Sequence, residues 1–281
     1  MPPVVSVIAA GFMGAGVAKR LTDNGVTVLT SLTGRSEASK ARAAEARMTA
    51  ASDADIAGAD FILSILPPSE AIALSERLAP AIRTSRKKPV YVDCNAVSPQ
   101  TVPRIAAPVT DSGARFIDAG IIGGPPGPGY AGPAFYASGP HAKDFLRLKE
   151  YGLDVRVLEG PLSAASALKM SYAGITKGVT AIGTAMILAA TRGGSSEALL
   201  KELQASFPPM PWLTRQVPGM YHRAYRWVGE MEEISNFVGE DEAARDIYRG
   251  IAKLYERMAE DYADEKQEIG MLDAFFKPGK K

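Results

Sequence analysis

Val4-Val5-Ser6-Val7-Ile8-Ala9-Ala10-Gly11-Phe12-Met13-Gly14 is the stretch that decides how the rest of the chain is read. It opens as a β-branched apolar run, the pattern of a strand buried on both faces, and ends in small residues and glycines. Beyond it, residues 13–24 change to helical spacing, and Gly25 stands where a helix C-terminal glycine belongs. A glycine turn between strand and helix permits a tight bend, close approach of backbone to a pyrophosphate, and close helix–strand packing. The helix then offers unpaired N–H groups and the positive end of its dipole to the phosphates. Ala9 stands where the first glycine is usual, which leaves Ala10, Gly11, Phe12, Met13 and Gly14 as the candidate phosphate-binding residues. A tight turn of another α/β protein would look the same in isolation. Its place at the head of a strand–helix series favours the nucleotide.

Sites selective for NAD carry an acid about 20 residues further on, at the end of the second strand. Here that segment is Leu29-Thr30-Ser31-Leu32-Thr33-Gly34-Arg35-Ser36, with no acid before Glu37. Hydroxyls and a guanidinium suit a 2′-phosphate, so Thr33, Arg35 and Ser36 are read as determinants of NADP(H). One charge-assisted bond of about 1.5–3 kcal/mol would favour that nucleotide roughly ten- to a hundredfold. The plainer alternative makes Arg35 a solvated loop cation and Ser36 a helix N-cap.

Strand-like runs recur at residues 4–9, 26–30, 61–66, 90–93, 115–119, 134–138 and 155–158. Helical patterns fall at 13–24, 37–47, 69–82 and 99–111. Strands alternating with helices predict parallel βαβ units, hence an α/β doubly wound Rossmann domain over residues 1–162. From residue 163 to 191 one long helical pattern runs without proline, then a loop rich in proline (Pro208, Pro209, Pro211, Pro218), then helices around 221–237 and 240–264. No strand pattern follows residue 158, so residues 163–281 are expected to form an all-α domain joined to the first by the long helix.

Composition sets the outer bounds. The 281 residues are 46% hydrophobic and 22% charged, ordinary globular values, and the length suggests about two domains. Lys+Arg 32 against Asp+Glu 31 leaves a charge of +1, which gives no basic field for nucleic acid or an anionic membrane. Cys94, the single cysteine, cannot form an intramolecular disulfide, so a reducing, cytoplasmic setting is expected. His141 and His222 lie far apart with no paired-cysteine spacing, so no metal site is expected. The N-terminus lacks the basic lead and cleavage site of a signal peptide, and the final Pro278-Gly279-Lys280-Lys281 matches neither a peroxisomal nor a prenylation signal. The most membrane-like stretch, residues 178–190, falls short of the roughly 20 residues that a span needs and fits a helix buried in protein.

Beside the turn, four further segments align in order with one family. Gly11-Phe12-Met13-Gly14, Ser64-Ile65-Leu66-Pro67-Pro68, Asp93-Cys94-Asn95 through Ser98-Pro99, Asp118-Ala119-Gly120-Ile121-Ile122-Gly123-Gly124 and Lys169-Met170-Ser171-Tyr172-Ala173 resemble motifs of the β-hydroxyacid dehydrogenase and 6-phosphogluconate dehydrogenase superfamily. The resemblance implies a nicotinamide cofactor over the carboxyl ends of the strands, with Leu66, Pro67 and Asn95 flanking its ribose and nicotinamide. It implies Gly123, Gly124 and Tyr172 beside the substrate, and an all-α second domain that builds a homodimer. It implies Lys169 as general acid/base. On the residues alone, Lys169 fits either a snorkelling lysine or an ammonium opening onto a cleft, whose desolvation would ease proton exchange near neutral pH.

Departures from the family pattern bear on the substrate. Ile122 replaces a serine that binds carboxylate, Ala173 replaces an asparagine, and Tyr172 stands where sugar-phosphate enzymes have histidine. The chain is also well short of a full 6-phosphogluconate dehydrogenase. The expected function is therefore an NADP(H)-dependent oxidoreductase moving hydride between nicotinamide and a small carbonyl or alcohol. The rivals are an imine reductase and a non-catalytic NADP(H)-binding protein. His222 reads as part of a polar helix face, Trp212 and Trp227 as core or dimer contacts, Glu230, Glu232 and Glu233 as solvated carboxylates, and Cys94 as a buried strand thiol.

Overall fold

The opening apolar run is β1 (Val4–Ile8), a central strand of an eight-stranded sheet. The others are β2 (Thr27–Thr30), β3 (Thr49–Ala50), β4 (Phe61–Ser64), β5 (Val90–Asp93), β6 (Arg115–Ile122), β7 (Ala134–Ser138) and β8 (Asp154–Val157). Their order is β3-β2-β1-β4-β5-β6-β7-β8. The computed structural model describes residues 1–277, so the tail read above for targeting signals, residues 278–281, lies outside the described residues. From β1 the chain winds out through β2 to β3, then crosses back to β4 and winds the other way. That reversal, at the carboxyl ends of β1 and β4, is where doubly wound sheets hold their ligands.

Strand alternation builds the core on both faces of the sheet. Val5, Val7, Phe61, Leu63, Val90 and Val92 point to one side, and Ile8, Ile62 and Tyr91 to the other. The first face is covered by α1 (Phe12–Asp23) and a 3₁₀ segment (Ala142–Tyr151), where Phe135 meets Phe145 edge to face at 5.9 Å. The second is covered by α3 (Asp53–Ala57), α4 (Ala71–Thr84) and α5 (Val102–Asp111). Each fully buried Leu, Ile or Val side chain contributes about 1.5–3 kcal/mol. α2 (Glu37–Glu45) is mostly exposed and carries Ala43 inward.

Two local expectations are corrected. β6 and β7 pair antiparallel, because the glycine- and proline-rich residues 123–133 between them fold back as a loop and no crossover helix forms. The proline-rich segment after the long helix is largely helical: Pro209 precedes α8 (Met210–Met220), Pro211 occupies its first turn, where no intrahelical N–H is required, and Pro218 falls in its last turn.

The chain divides into two compact units, Met1–Met170 and Ser171–Lys281. The first is the doubly wound Rossmann fold, and the second is all-α. The division falls inside the long helix α6 (Ala164–Arg192), eight residues beyond the boundary expected from sequence. The remaining helices are α7 (Ser196–Ser206), α9 (Ala224–Phe237), α10 (Glu242–Ala263) and α11 (Gln267–Phe276). In the second unit Lys177 and Glu230 form an ion pair with side chains only 12% and 14% exposed, so Glu230 is not the solvated carboxylate its helix pattern suggests. The Lys177 amine lies 4.9 Å from the centre of the Trp227 ring, and the Tyr255 hydroxyl donates to the Lys177 carbonyl at 2.5 Å. Among the described residues α6 alone is long and apolar enough to cross a membrane, which corrects the expectation of a short buried helix: 44% of its most apolar window is buried, and Ile175, Val179, Ile182 and Met186 are exposed.

Candidate functional site

The turn after β1 leads into a helix whose start carries no side-chain cap. Gly11 is the N-cap of α1, in extended conformation, with no side chain capping the helix and no acid in its first turn. The leading N–H groups and the positive end of the dipole are therefore left for a ligand. A Cβ at Gly14 would collide with the Ala9 carbonyl oxygen, whereas one at Gly11 would meet nothing within 4 Å. Gly14 thus serves packing, and Gly11 leaves room for a bound group. Ala9, the departure from the usual glycine, is accommodated in the core beneath α4 and α5. Phe12 stands 70% exposed.

The loop after β2 turns at Gly34, whose φ of +70° favours glycine. Arg35 is half-buried and has no carboxylate partner among the described residues, while Thr33 and Ser36 are exposed. Ser36 caps α2, its Oγ accepting the Ser39 N–H at 3.3 Å. Glu37, the nearest acid, pairs with Lys40 at 2.7 Å. Sequence reading missed Arg42, which donates through Nε to the Ala10 carbonyl at 3.0 Å and through a terminal nitrogen to Ser39 Oγ at 3.0 Å. Its guanidinium also covers the Phe12 ring at 4.9 Å. The available signal was Ser36, Ser39 and Arg42 at three-residue spacing along one side of a helix.

At the ends of β4 and β5, Asn95 is nearly enclosed, at 2% exposure. Its Oδ1 accepts the Leu66 N–H at 2.5 Å, and its Nδ2 donates to Ser64 Oγ at 2.7 Å and to Asp93 Oδ1. The side chain thus fastens the start of the Leu66-Pro67 loop to the neighbouring strand. Burial, with the nearby Asp118 carboxylate, raises the Asp93 carboxyl well above the usual carboxylate range. Cys94 is buried beside them, and burial likewise pushes its thiol up, away from the reactive thiolate.

β6 carries the support for Lys169. Asp118 pairs in register with Asp93 on one side and Ser138 on the other. Its carboxylate accepts the Ser166 N–H at 2.8 Å and the Ser166 hydroxyl at 2.7 Å, while Ser138 Oγ accepts the Ala165 N–H at 2.9 Å. The first turn of α6 is thereby pinned to the sheet. Burial pushes the Asp118 carboxyl up to about 6, against the lowering effect of its donors. A Cβ at Gly120 would sit 2.8 Å from the Ala165 carbonyl oxygen and 3.0 Å from Lys169 Cβ, so only glycine lets this helix approach. Lys169 is half-buried, and its amine forms no ion pair among the described residues. Gly123 and Gly124 follow β6 directly and are exposed; Gly123 has φ +128°.

Ala10 to Gly14, Thr33 to Ser36, Leu66, Pro67, Asn95, Gly123 and Gly124 thus all lie at the carboxyl ends of five adjacent strands, β2-β1-β4-β5-β6, with the α6 turn of Lys169 against β6. Tyr172, on the next turn of α6, belongs to the second unit and is 49% exposed. His222 is exposed, its Nε2 accepting from Arg223 at 3.1 Å.

Residues 4–151 match the family described as the NAD binding domain of 6-phosphogluconate dehydrogenase. The chain belongs to this family. As a member of the 6-phosphogluconate dehydrogenase-type family it stands among NAD(P)-dependent oxidoreductases, and its first unit is an NAD(P)-binding domain. Residues 190–258 match a domain of unknown function (DUF1932). Among solved structures, the conserved protein MTH1747, of unknown function and described as similar to 3-hydroxyacid dehydrogenases, is 28% identical with a TM-score of 0.69, over 92% of this chain and 97% of that one. The 3-hydroxyisobutyrate dehydrogenase of Mycobacterium tuberculosis, solved with L-serine, is 17% identical with a TM-score of 0.73, over 97% and 99%. The imine reductase of Myxococcus stipitatus, solved with NADP+, is 18% identical with a TM-score of 0.59, over 98% and 100%. The last two likenesses speak for the fold. Comparison with curated proteins yields no match.

Proposed function

We propose that this family member is an NADP(H)-dependent reductase or dehydrogenase acting on a small carbonyl or its alcohol, with Lys169 as general acid/base. The observation that carries the reading is the seating of Lys169. Lys169 is half-buried with its Cβ packed against Gly120, on a helix start clamped by Asp118, next to the strand that runs into Gly123-Gly124, and its amine forms no ion pair among the described residues.

The uncapped α1 terminus and the close seat of Gly14 fit a dinucleotide. Ala10, Gly11, Phe12, Met13 and Gly14 would hold its pyrophosphate through backbone N–H groups, and Thr33, Arg35 and Ser36 its 2′-phosphate. Asn95 would act by fixing the Leu66-Pro67 loop, which would flank the nicotinamide. The bound nucleotide supplies or accepts hydride. In reduction Lys169 delivers a proton to the substrate carbonyl oxygen, and in oxidation it withdraws the hydroxyl proton. Gly123 and Gly124 would offer backbone donors to an anionic oxygen.

Ile122, half-buried, and Ala173, buried, offer no polar group where the superfamily has serine and asparagine, which favours an acceptor less polar than a simple hydroxy acid. This supports, as the second reading, reduction of a C=N bond. In the second unit Tyr172, Ile175, Val179, Ile182 and Met186 line one exposed face of α6, an apolar stripe that a second copy would cover to make a homodimer. Such an enzyme would work in the cytoplasm on a small-molecule substrate.

The decisive experiment follows NADPH oxidation against small aldehydes, β-ketoacids and cyclic imines, with Lys169→Ala alongside the wild type. Turnover on a carbonyl that falls about 10²–10⁴-fold in Lys169→Ala, with NADPH affinity intact, is the expected result. Turnover only on imines decides for the second reading. Unchanged turnover in the variant removes Lys169 from the mechanism, and tight NADPH binding without any turnover points to a non-catalytic binder.

A further inference from the structure

We infer that Arg42, which lies outside the loop proposed above to contact the 2′-phosphate, is a second cation for that phosphate and a determinant of nucleotide choice. This deepens the nucleotide reading and rests on it. The Arg42 guanidinium is held at three points: the Ala10 carbonyl, Ser39 Oγ and the Phe12 ring. Ala10 and Phe12 belong to the turn after β1, and Ser39 to the first turns of α2, so one side chain ties the two βα connections together.

A planar guanidinium presents a fixed fork of donors that matches the oxygens of a carboxylate or a phosphate. Among the described residues no carboxylate pairs with Arg42: Glu37 goes to Lys40, and both acceptors of Arg42 are neutral. Ordering a long, rotamer-rich side chain in advance lowers the entropic cost of meeting a ligand, and a planar fork suits phosphate oxygens better than a lysine would. Ser39 Oγ also lies 3.3 Å from Ser36 Oγ, so a phosphate received at Ser36 enters the same hydrogen-bonded row that ends on Arg42. Arg42 bridges the turn after β1 and the helix after β2, the side of a doubly wound sheet that holds the adenosine ribose.

The test is calorimetric titration of the full chain with NADPH, NADH, adenosine 2′,5′-bisphosphate and AMP. Arg42→Ala is expected to weaken NADPH and the bisphosphate about tenfold or more, leaving NADH and AMP within about twofold. Arg42→Gln, which keeps a donor for Ala10 but loses the charge, is expected to do the same with an unchanged thermal melt, and it decides the matter if the alanine variant unfolds. Equal weakening of the phosphorylated and unphosphorylated nucleotides, or no weakening, overturns the role of Arg42 alone. A wild type that binds NADPH no better than NADH overturns the NADP(H) reading, and this inference with it.

Discussion

Ser166 gives both its backbone N–H and its hydroxyl to one carboxylate, that of Asp118, at 2.8 and 2.7 Å. Both residues are buried, and Ser166 stands one helical turn before Lys169. The carboxylate acts as a peg for the start of α6, which is how a strand residue governs the placement of a lysine 51 positions later.

Ser166→Ala removes one donor and leaves a buried carboxylate oxygen short of a partner. The expected cost is about 1–3 kcal/mol of stability. Turnover should fall while NADPH affinity holds, since the dinucleotide turn lies on another strand. Thermal unfolding together with separate measurement of kcat and nucleotide Kd checks both parts.

Asp118 also sets a pH dependence. Its carboxyl titrates near 3.8 when unfolded and at about 6 in the fold, so the folded chain holds more protons between those values. Its contribution is fully present below the lower value and is lost as pH rises through the upper one. Compared with Asp118→Asn, the wild type should gain stability, by up to about 3 kcal/mol, as pH falls from roughly 6 toward roughly 4. Urea unfolding of both proteins across that range reads the difference directly. A constant difference would remove the carboxyl from the pH response.

Glu230→Gln breaks an enclosed ion pair in the second unit and leaves the Lys177 ammonium facing an amide beside the Trp227 ring. Removing one partner of a buried pair costs about 3–5 kcal/mol, whatever the pair is worth as a whole. A drop in melting temperature, with AMP binding at the nucleotide site proposed for the first unit unchanged, is the expected outcome.

The exposed stripe on α6 predicts the assembly state. Ile175 is 67% and Ile182 60% exposed, although both lie on a helix whose other faces are core. Ile182→Glu is expected to raise the dimer dissociation constant about tenfold or more in sedimentation velocity. A wild type that sediments as a monomer at micromolar concentration would leave the stripe to some other occupant.

Much of this was legible in the residues, for identifiable reasons. β1, its turn and α1 stand out because a doubly buried strand is a continuous apolar run and the turn needs glycine at Gly14. β3 and α3 escaped because Thr49–Ala50 and Asp53–Ala57 are too short to show a period. The turn between β6 and β7 hid its antiparallel pairing behind a glycine- and proline-rich loop, and α8 hid behind prolines that a helix end tolerates. Arg42 and Glu230 were missed for a common cause. Their partners, Ala10 and Lys177, are 32 and 53 residues away, and no local pattern reports such meetings.

The amide of Asn95 is wired at both ends, with oxygen to Leu66 and nitrogen to Ser64 and Asp93. Hydrolytic ageing of that amide would exchange a donor for an acceptor and set a new acid against Asp93, in a place that already disfavours one. The enclosure that keeps water from the Asn95 amide therefore guards the whole junction, and how long the protein keeps its loop in order is tied to how long that small seal lasts.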